Sequence, residues 1–384
     1  MFHLLLAVIY ISFISLGLPD SLLGAGWPVM HQQLGADLSW AGIISMIISL
    51  GTITSSLMSD RLTHRLGTGK VTAVSVGLTA AALLGFSFSD SFWQLCIWAV
   101  PYGLGAGSVD ASLNNYVALH YTSRHMSWLH CMWGIGASVG PYVMGGFLSA
   151  GMGWSMGYRT IGLIQVVLSA LLLFALPLWK KSAGTQEKQN SKPLSLAQIF
   201  RIPGAKEVMT AFFCYCALEQ TAGLWASSYL ALCRGIPEQT AAFFGSLFFI
   251  GITLGRGLNG FLTMKFSDPQ LIRMGCGVIG LGVLALLLPL GDGVAIAGLI
   301  LVGLGCAPIY PCVIHSTPFY FGAERSQALI GVQMACAYVG SMLMPPVFGL
   351  LADALSMALL PVYLLAILVL MALMHEMLVK KAAK

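Results

Sequence analysis

Charge is what this sequence has little of. Only 9% of its 384 residues are Asp, Glu, Lys or Arg, where a water-soluble domain carries about 25%. So few charges cannot cover a soluble surface, which excludes an ordinary soluble domain. The net charge of +5 is small and reads as membrane topology, not as a nucleic-acid footprint. The nine cysteines have no zinc-type spacing with histidines and read as small apolar packing residues. No phosphate loop and no nucleophile–base pairing is present, which argues against an enzyme. The opening MFHLLLAVIYISF lacks the basic region of a cleavable signal, and its apolar stretch runs on too long for one. It is expected to be a first membrane helix.

Hydrophobic residues make up 57% of the chain, and glycine occurs 44 times. Membrane helices use glycine freely because it lets backbones approach. Segments of about 20 residues or slightly more, long enough to cross a bilayer, recur twelve times: 4–32, 38–58, 70–89, 92–119, 127–150, 157–178, 207–232, 239–264, 270–290, 294–318, 326–351 and 357–379. The one long polar stretch, with KKSAGTQEKQNSKP, divides the chain into an N-terminal bundle (1–179), a linker (180–206) and a C-terminal bundle (207–384). With both termini in the cytoplasm, 16 of the 19 basic residues fall on the cytoplasmic side. The exceptions are Arg159 and Arg234 outside and Arg256 within a span. Positive-inside topology therefore favours this orientation, in a bacterial-type inner membrane.

The halves repeat one another. GLGAGSVDASLNNY from Gly103 matches GLGCAPIYPCVIHS from Gly303, and GPYVMGGFLSA from Gly140 matches MPPVFGLLADA from Met344. Two halves on one plan are the pattern of transporters whose substrate site lies between repeats.

Four charges stand deep in apolar segments: Asp20, Asp110, Glu219 and Arg256. Each costs on the order of 3 kcal/mol at a bilayer centre, so such residues mark sites for protons, ions or polar solutes. Asp20 follows Pro19 and is flanked by Gly17, Gly24 and Gly26, a candidate helix break with a carboxylate at it. A carboxylate there can serve sodium as well as a proton, so both coupling ions stay open. Asp110 and Asn114 are four apart and share a helix face with Asn115 beside them. A polar clamp between helices is the plainer reading. In WLHCMWGIGASVGPYVMGG, His130 and Trp133 follow helical spacing, and Gly136, Gly140, Pro141, Gly145 and Gly146 invite a bend and close contact. This glycine-proline pattern is similar to the antiporter signature of drug exporters. A packing role is the other reading of His130.

In the seventh span, Glu219 and Gln220 lie mid-helix, with Trp225 and Tyr229 four apart. Polar groups bond hydroxyls while rings cover C–H faces, which suits a hydroxyl-rich ligand. An interfacial aromatic belt is the alternative for the two rings. In GITLGRGLNG, Arg256 and Asn259 belong to a polar stripe. Arg256 needs a counter-charge, with Glu219 the candidate in the same half and Asp110 or Asp20 in the other. A permanent structural ion pair is the competing reading. Tyr310 and Gln333 complete the candidate lining.

The loop SLMSDRLTHRLGTGK, with Asp60, Arg61 and Arg65, resembles the loop signature of the major facilitator superfamily, with Ser56 in place of its first glycine. Over its whole length the chain resembles that superfamily. Within it the chain is similar to the fucose permease and sugar permease-like branch, through LHCMWGIGASVGP, ALEQTAGLWASSYL, GITLGRGLNG and GLGCAPIYP. The resemblance implies an all-α membrane protein: twelve transmembrane helices in two pseudo-symmetric six-helix bundles that alternate access by rocking. It implies a cytoplasmic gate at Asp60, Arg61 and Arg65. Asp20 stands where fucose permease carries a proton-linked aspartate, and Asp110 where it carries a glutamate. The fifth-span asparagine of that branch is replaced by His130 or a neighbour.

Proton-coupled symport of a small hydroxylated solute, a sugar first, is thus expected. Asp20 and Asp110 would handle the proton, and Asn114, Asn115, His130, Trp133, Glu219, Gln220, Trp225, Tyr229, Arg256, Asn259, Tyr310 and Gln333 the solute. A proton-driven exporter of drugs or metabolites, and a non-transporting solute sensor, are the alternatives. The expected partners are a small-molecule substrate and the lipid bilayer. No cofactor, metal or nucleic acid is expected, and the protein is expected to work as a monomer.

Overall fold

The computed structural model describes residues 2–20, 22–37, 40–182 and 194–382. Among them all regular structure is helical. The first span is two consecutive helices, α1 (Phe2–Asp20) and α2 (Leu22–Gln33). There follow α3 (Ala41–Leu66), α4 (Thr68–Ser87), α5 (Phe92–His120), α6 (Ser123–Ser149), α7 (Trp154–Phe174) and its short extension α8 (Leu176–Ser182). After the short α9 (Leu196–Ile199) come α10 (Ala205–Arg234), α11 (Glu238–Leu262) and α12 (Asp268–Leu287). The tenth span is again split, into α13 (Asp292–Cys306) and α14 (Ile309–Phe321), with Pro308 at the break. The chain closes with α15 (Ala323–Ala354) and α16 (Leu360–Ala382). Much of the polar linker, residues 183–193, lies outside the described residues.

Among the described residues, eight of these spans are long and apolar enough by themselves to cross a membrane. Three further helices, α5, α6 and α10, reach 29, 27 and 30 residues but are less apolar. α11 is 25 residues long. These four helices carry Asp110, His130, Glu219 and Arg256.

Helix ends follow local chemistry. Gly235 closes α10 in the left-handed region, at φ 66° and ψ 18°, and its N–H reaches the Leu230 and Ala231 carbonyls. A side chain would be strained there. Ser267 and Gln270 form a reciprocal capping box at the start of α12.

The chain divides into two compact units, one of Met1–Tyr116 with Leu129–Leu194, the other of Val117–Trp128 with Ser195–Lys384. The turn between α5 and α6 thus belongs with the second unit. In the first unit α4 packs along α7; in the second α10 packs along α15, and α12 along α13. Membrane helices gain nothing by hiding apolar surface from apolar lipid, so small residues that admit close backbone contact decide their packing.

The internal repeat is written in those contacts. A methyl group on Gly103 would lie 2.3 Å from the Ile48 carbonyl oxygen, and one on Gly303 would lie 2.2 Å from that of Phe248. Both partners are shifted by the same 200 positions. Likewise a methyl on Gly136 would meet the Ile14 carbonyl at 2.0 Å, and one on Gly340 the Phe213 carbonyl at 2.6 Å. Each unit therefore seats its fifth span on its first, and its fourth on its second, through a glycine at the equivalent place.

Candidate functional site

Two polar clusters form, one inside each unit. In the first unit, Asp20 ends the described part of α1, next to Pro19. Trp133 Nε1 donates to Asp20 Oδ2 at 2.8 Å, and the Tyr102 hydroxyl donates to Oδ1 at 3.2 Å. The Asp20 side chain is nevertheless exposed. Indole N–H only donates, whereas a hydroxyl can donate or accept. Tyr102 can therefore donate to the carboxylate and accept from the carboxylic acid, while Trp133 keeps its bond throughout. The site can hold Asp20 in either state without losing a partner.

Asp110 interacts electrostatically with Asp20. One turn along α5, Asn114 Nδ2 donates to the Asp110 backbone carbonyl at 3.0 Å and to Asp110 Oδ1 at 2.8 Å. Asn114 Oδ1 lies 3.1 Å from His130 Nε2 on α6. Asn114 and His130 are buried, and the Phe13 ring of α1 stands edge-on to His130, centroids 5.5 Å apart. Asn115 is also buried on α5. Asp20, Asp110, Asn114, His130 and Trp133 thus come together. Tyr102 and Phe13 complete the group. Neither stands out in a sequence rich in aromatic residues.

In the second unit, Arg256 Nη2 of α11 pairs with Glu219 Oε1 of α10 at 3.4 Å, with Arg256 4% and Glu219 9% exposed. Glu219, the candidate counter-charge in the same half, is thus within reach of Arg256. Aromatic rings gather around Tyr310: Phe212 at 4.8 Å and Tyr215 at 5.9 Å between centroids. Tyr215 and Tyr310 both act on the Arg256 charge, which places this ring cluster beside the ion pair. Gln220, next to Glu219, is exposed.

Four residues expected on the lining serve helix contacts here. Trp225 Nε1 donates to the Pro345 carbonyl at 2.9 Å, and the Tyr229 hydroxyl to that of Leu286 at 2.8 Å. Gln333, fully buried, accepts from the Thr317 hydroxyl at 3.1 Å. Asn259 Nδ2 donates to the Ser127 hydroxyl at 2.8 Å. Indole and phenol hydrogens seek partners when buried, and the backbone carbonyls of Pro345 and, at the end of α12, Leu286 supply them.

That last contact belongs to the seat of the α5–α6 turn within the second unit. Ser123 Oγ donates to Asp268 Oδ1 at 2.5 Å, and His315 Nδ1 lies 2.6 Å from Asp268 Oδ2. His315 Nε2 reaches the Tyr121 carbonyl at 3.2 Å. The Trp128 indole covers Gly260, where a methyl group would stand 2.1 Å from Nε1. Ser123, Trp128, Asp268 and His315 are unmarked in the sequence because their partners lie far along the chain. On α3, buried Asp60 pairs with His64 at 3.3 Å, while Arg61 and Arg65 are exposed.

A family model described as the Major Facilitator Superfamily matches residues 9–326 and 235–383. The chain belongs to the Major Facilitator Superfamily. It is a multi-pass membrane protein of the transporter class, with that family's twelve-helix, two-unit fold. A relative in this superfamily is the 4-hydroxybenzoate transporter PcaK of Pseudomonas aeruginosa, 24% identical over 84% of this chain and 83% of that protein. Bypass of stop codon protein 6 of Saccharomyces cerevisiae is 23% identical over 68% of this chain. The match spans only 57% of that yeast protein's length. Among solved structures, the proton:xylose symporter XylE superposes with a TM-score of 0.80 at 13% identity, over 96% of this chain and 94% of that one. The E. coli fucose:proton symporter FucP superposes at 0.76 and 15% identity, over 97% and 98%.

Proposed function

We propose that this major facilitator is a secondary active transporter that takes up a small hydroxylated solute, a sugar first, together with a proton. The observation that carries the reading is Asp20: a carboxylate within the first span, exposed, and held by two partners that suit both its protonation states. Asp20 and Asp110 handle the proton. Protonation neutralises an acid before it is enclosed, which lowers the cost of the conformational change. Asn114, His130, Trp133, Gln220, Tyr310 and the Arg256–Glu219 pair serve the solute. The proton:xylose and fucose:proton symporters of the same fold support this coupling. So does the glucose/mannose transporter GlcP of Bacillus subtilis, a superfamily relative. The basic residues favour cytoplasmic termini in a bacterial-type inner membrane, and no second chain is needed for either cluster.

Export is the competing reading, raised by the glycine-proline pattern of the fifth span. Gly136 and Gly140 have another use, since a methyl on either would strike the Ile14 or Leu18 carbonyl of α1 at 2.0 or 2.2 Å. Close packing accounts for them without an exporter. The test is radiolabelled uptake into proteoliposomes under an inward proton gradient, with fucose, xylose, glucose and 4-hydroxybenzoate as probes. Asp20→Asn and Asp110→Asn are expected to lose gradient-driven accumulation. Full pH-driven uptake by both variants contradicts the proton assignment.

A further inference from the structure

Asn114 has a fixed direction. Its Nδ2 sits 3.0 Å from the backbone carbonyl of Asp110, and a carbonyl can only accept. The nitrogen end of the amide therefore faces Asp110 whatever the state of that carboxyl group. The oxygen end then faces His130 Nε2, at 3.1 Å, and an amide oxygen also only accepts. So His130 carries a hydrogen on Nε2 whether the ring is neutral or charged, and a further proton must land on Nδ1.

The hydrogen bonds consequently run one way, from His130 to Asn114 and from Asn114 to Asp110. Charging the ring strengthens the first bond and polarises the amide, which strengthens the second. A charged His130 and an ionised Asp110 favour one another. The amide passes no proton; it passes polarisation. His130 and Asn114 are buried, and the Phe13 ring closes the other side of the imidazole. Gly17 and Gly136 lock α6 against α1. Among the described residues, titratable groups facing this network include Asp20 on α1 and Tyr102 on α5. Three residues on from His130, Trp133 binds Asp20, so α6 meets Asp20 directly and Asp110 through Asn114.

We infer that His130 is a positioning residue for proton coupling, setting how readily Asp110 takes up a proton through the Asn114 amide. This rests on the proposed proton role of Asp110 and moves His130 from the solute to the proton side of the mechanism.

The test needs no solute. The full-length protein in lipid nanodiscs is titrated by infrared spectroscopy, and the protonated carboxyl band of Asp110 is assigned by its loss in Asp110→Asn. His130→Leu removes the donor, whereas His130→Gln keeps an N–H but cannot be charged. The Asp110 band is expected to persist to a pH about one unit higher in His130→Leu than in the wild type, with His130→Gln between them. A merely structural His130 would leave the band where it was. Titrations that superimpose in folded variants overturn the inference, and so does a wild-type protein with no Asp110 band. Should the variants not fold, nitrogen NMR of wild-type His130 decides: hydrogen on Nε2 of the neutral ring supports the inference, and hydrogen on Nδ1 alone overturns it. Proton movement on solute addition is measured separately, so an unshifted band with intact symport sinks this inference alone. A shifted band without solute-driven proton movement sinks only the transport reading.

Discussion

Arg256 and Glu219 are each other's main compensation for lying in an apolar interior. Breaking such a pair from one side strands a charge and costs about 3–5 kcal/mol. Glu219→Gln or Arg256→Gln alone should therefore lower thermal stability in detergent strongly. The double variant should recover part of the loss, because it strands nothing. Additive losses would mean that the two charges do not act as a pair. At Asp20, Tyr102→Phe should have a smaller effect, about 1 kcal/mol for one lost hydrogen bond, since Trp133 still donates. The sequence makes Asp20, Asp110, Glu219 and Arg256 visible because charge in an apolar run has no cheap explanation. It does not separate Tyr310, beside the ion pair, from Trp225 and Tyr229, which hold helices together. Helical spacing puts a ring on a face but does not say what that face meets.

At the scale of helices, packing rests on a few glycines. Gly103→Ala and Gly303→Ala each force a methyl group to within 2.3 and 2.2 Å of a carbonyl oxygen on a neighbouring helix. Each should cost about 1–3 kcal/mol as an overpacked contact, and about equally, since the two positions are repeats of one another. Gly24→Ala and Gly145→Ala meet nothing within 4 Å and should leave the melting temperature nearly unchanged. The α5–α6 turn gives a second test. Both His315 nitrogens face acceptors, Asp268 and the Tyr121 carbonyl, so the ring bridges α12 to the turn. His315→Phe should raise hydrogen exchange in residues 117–128 without disturbing the rest of the second unit. Unchanged protection there would show that Trp128 on Gly260 suffices to seat the turn. All twelve spans are legible from apolar length, with α5, α6 and α10 the less apolar ones. The assignment of 117–128 to the second unit is not legible, because it depends on contacts up to 194 residues apart.

The whole molecule is two compact units on one plan, and the two do not carry the same chemistry. The first holds two acids tied to α5 and α6. The second holds a neutralised pair among aromatic rings. The repeat explains the shared packing, while the side chains that differ between the halves are the basis of the proposed division of labour, with proton handling in the first. The direct measurement is of proton movement itself, on wild-type protein in proteoliposomes with a pH-sensitive dye outside and no imposed gradient. Adding fucose, xylose or glucose to the medium should make the outside alkaline for at least one sugar, and should not do so with Asp20→Asn. No pH change with any of these sugars, although the same protein moves one of them in counterflow, or acidification on their addition, would contradict proton symport.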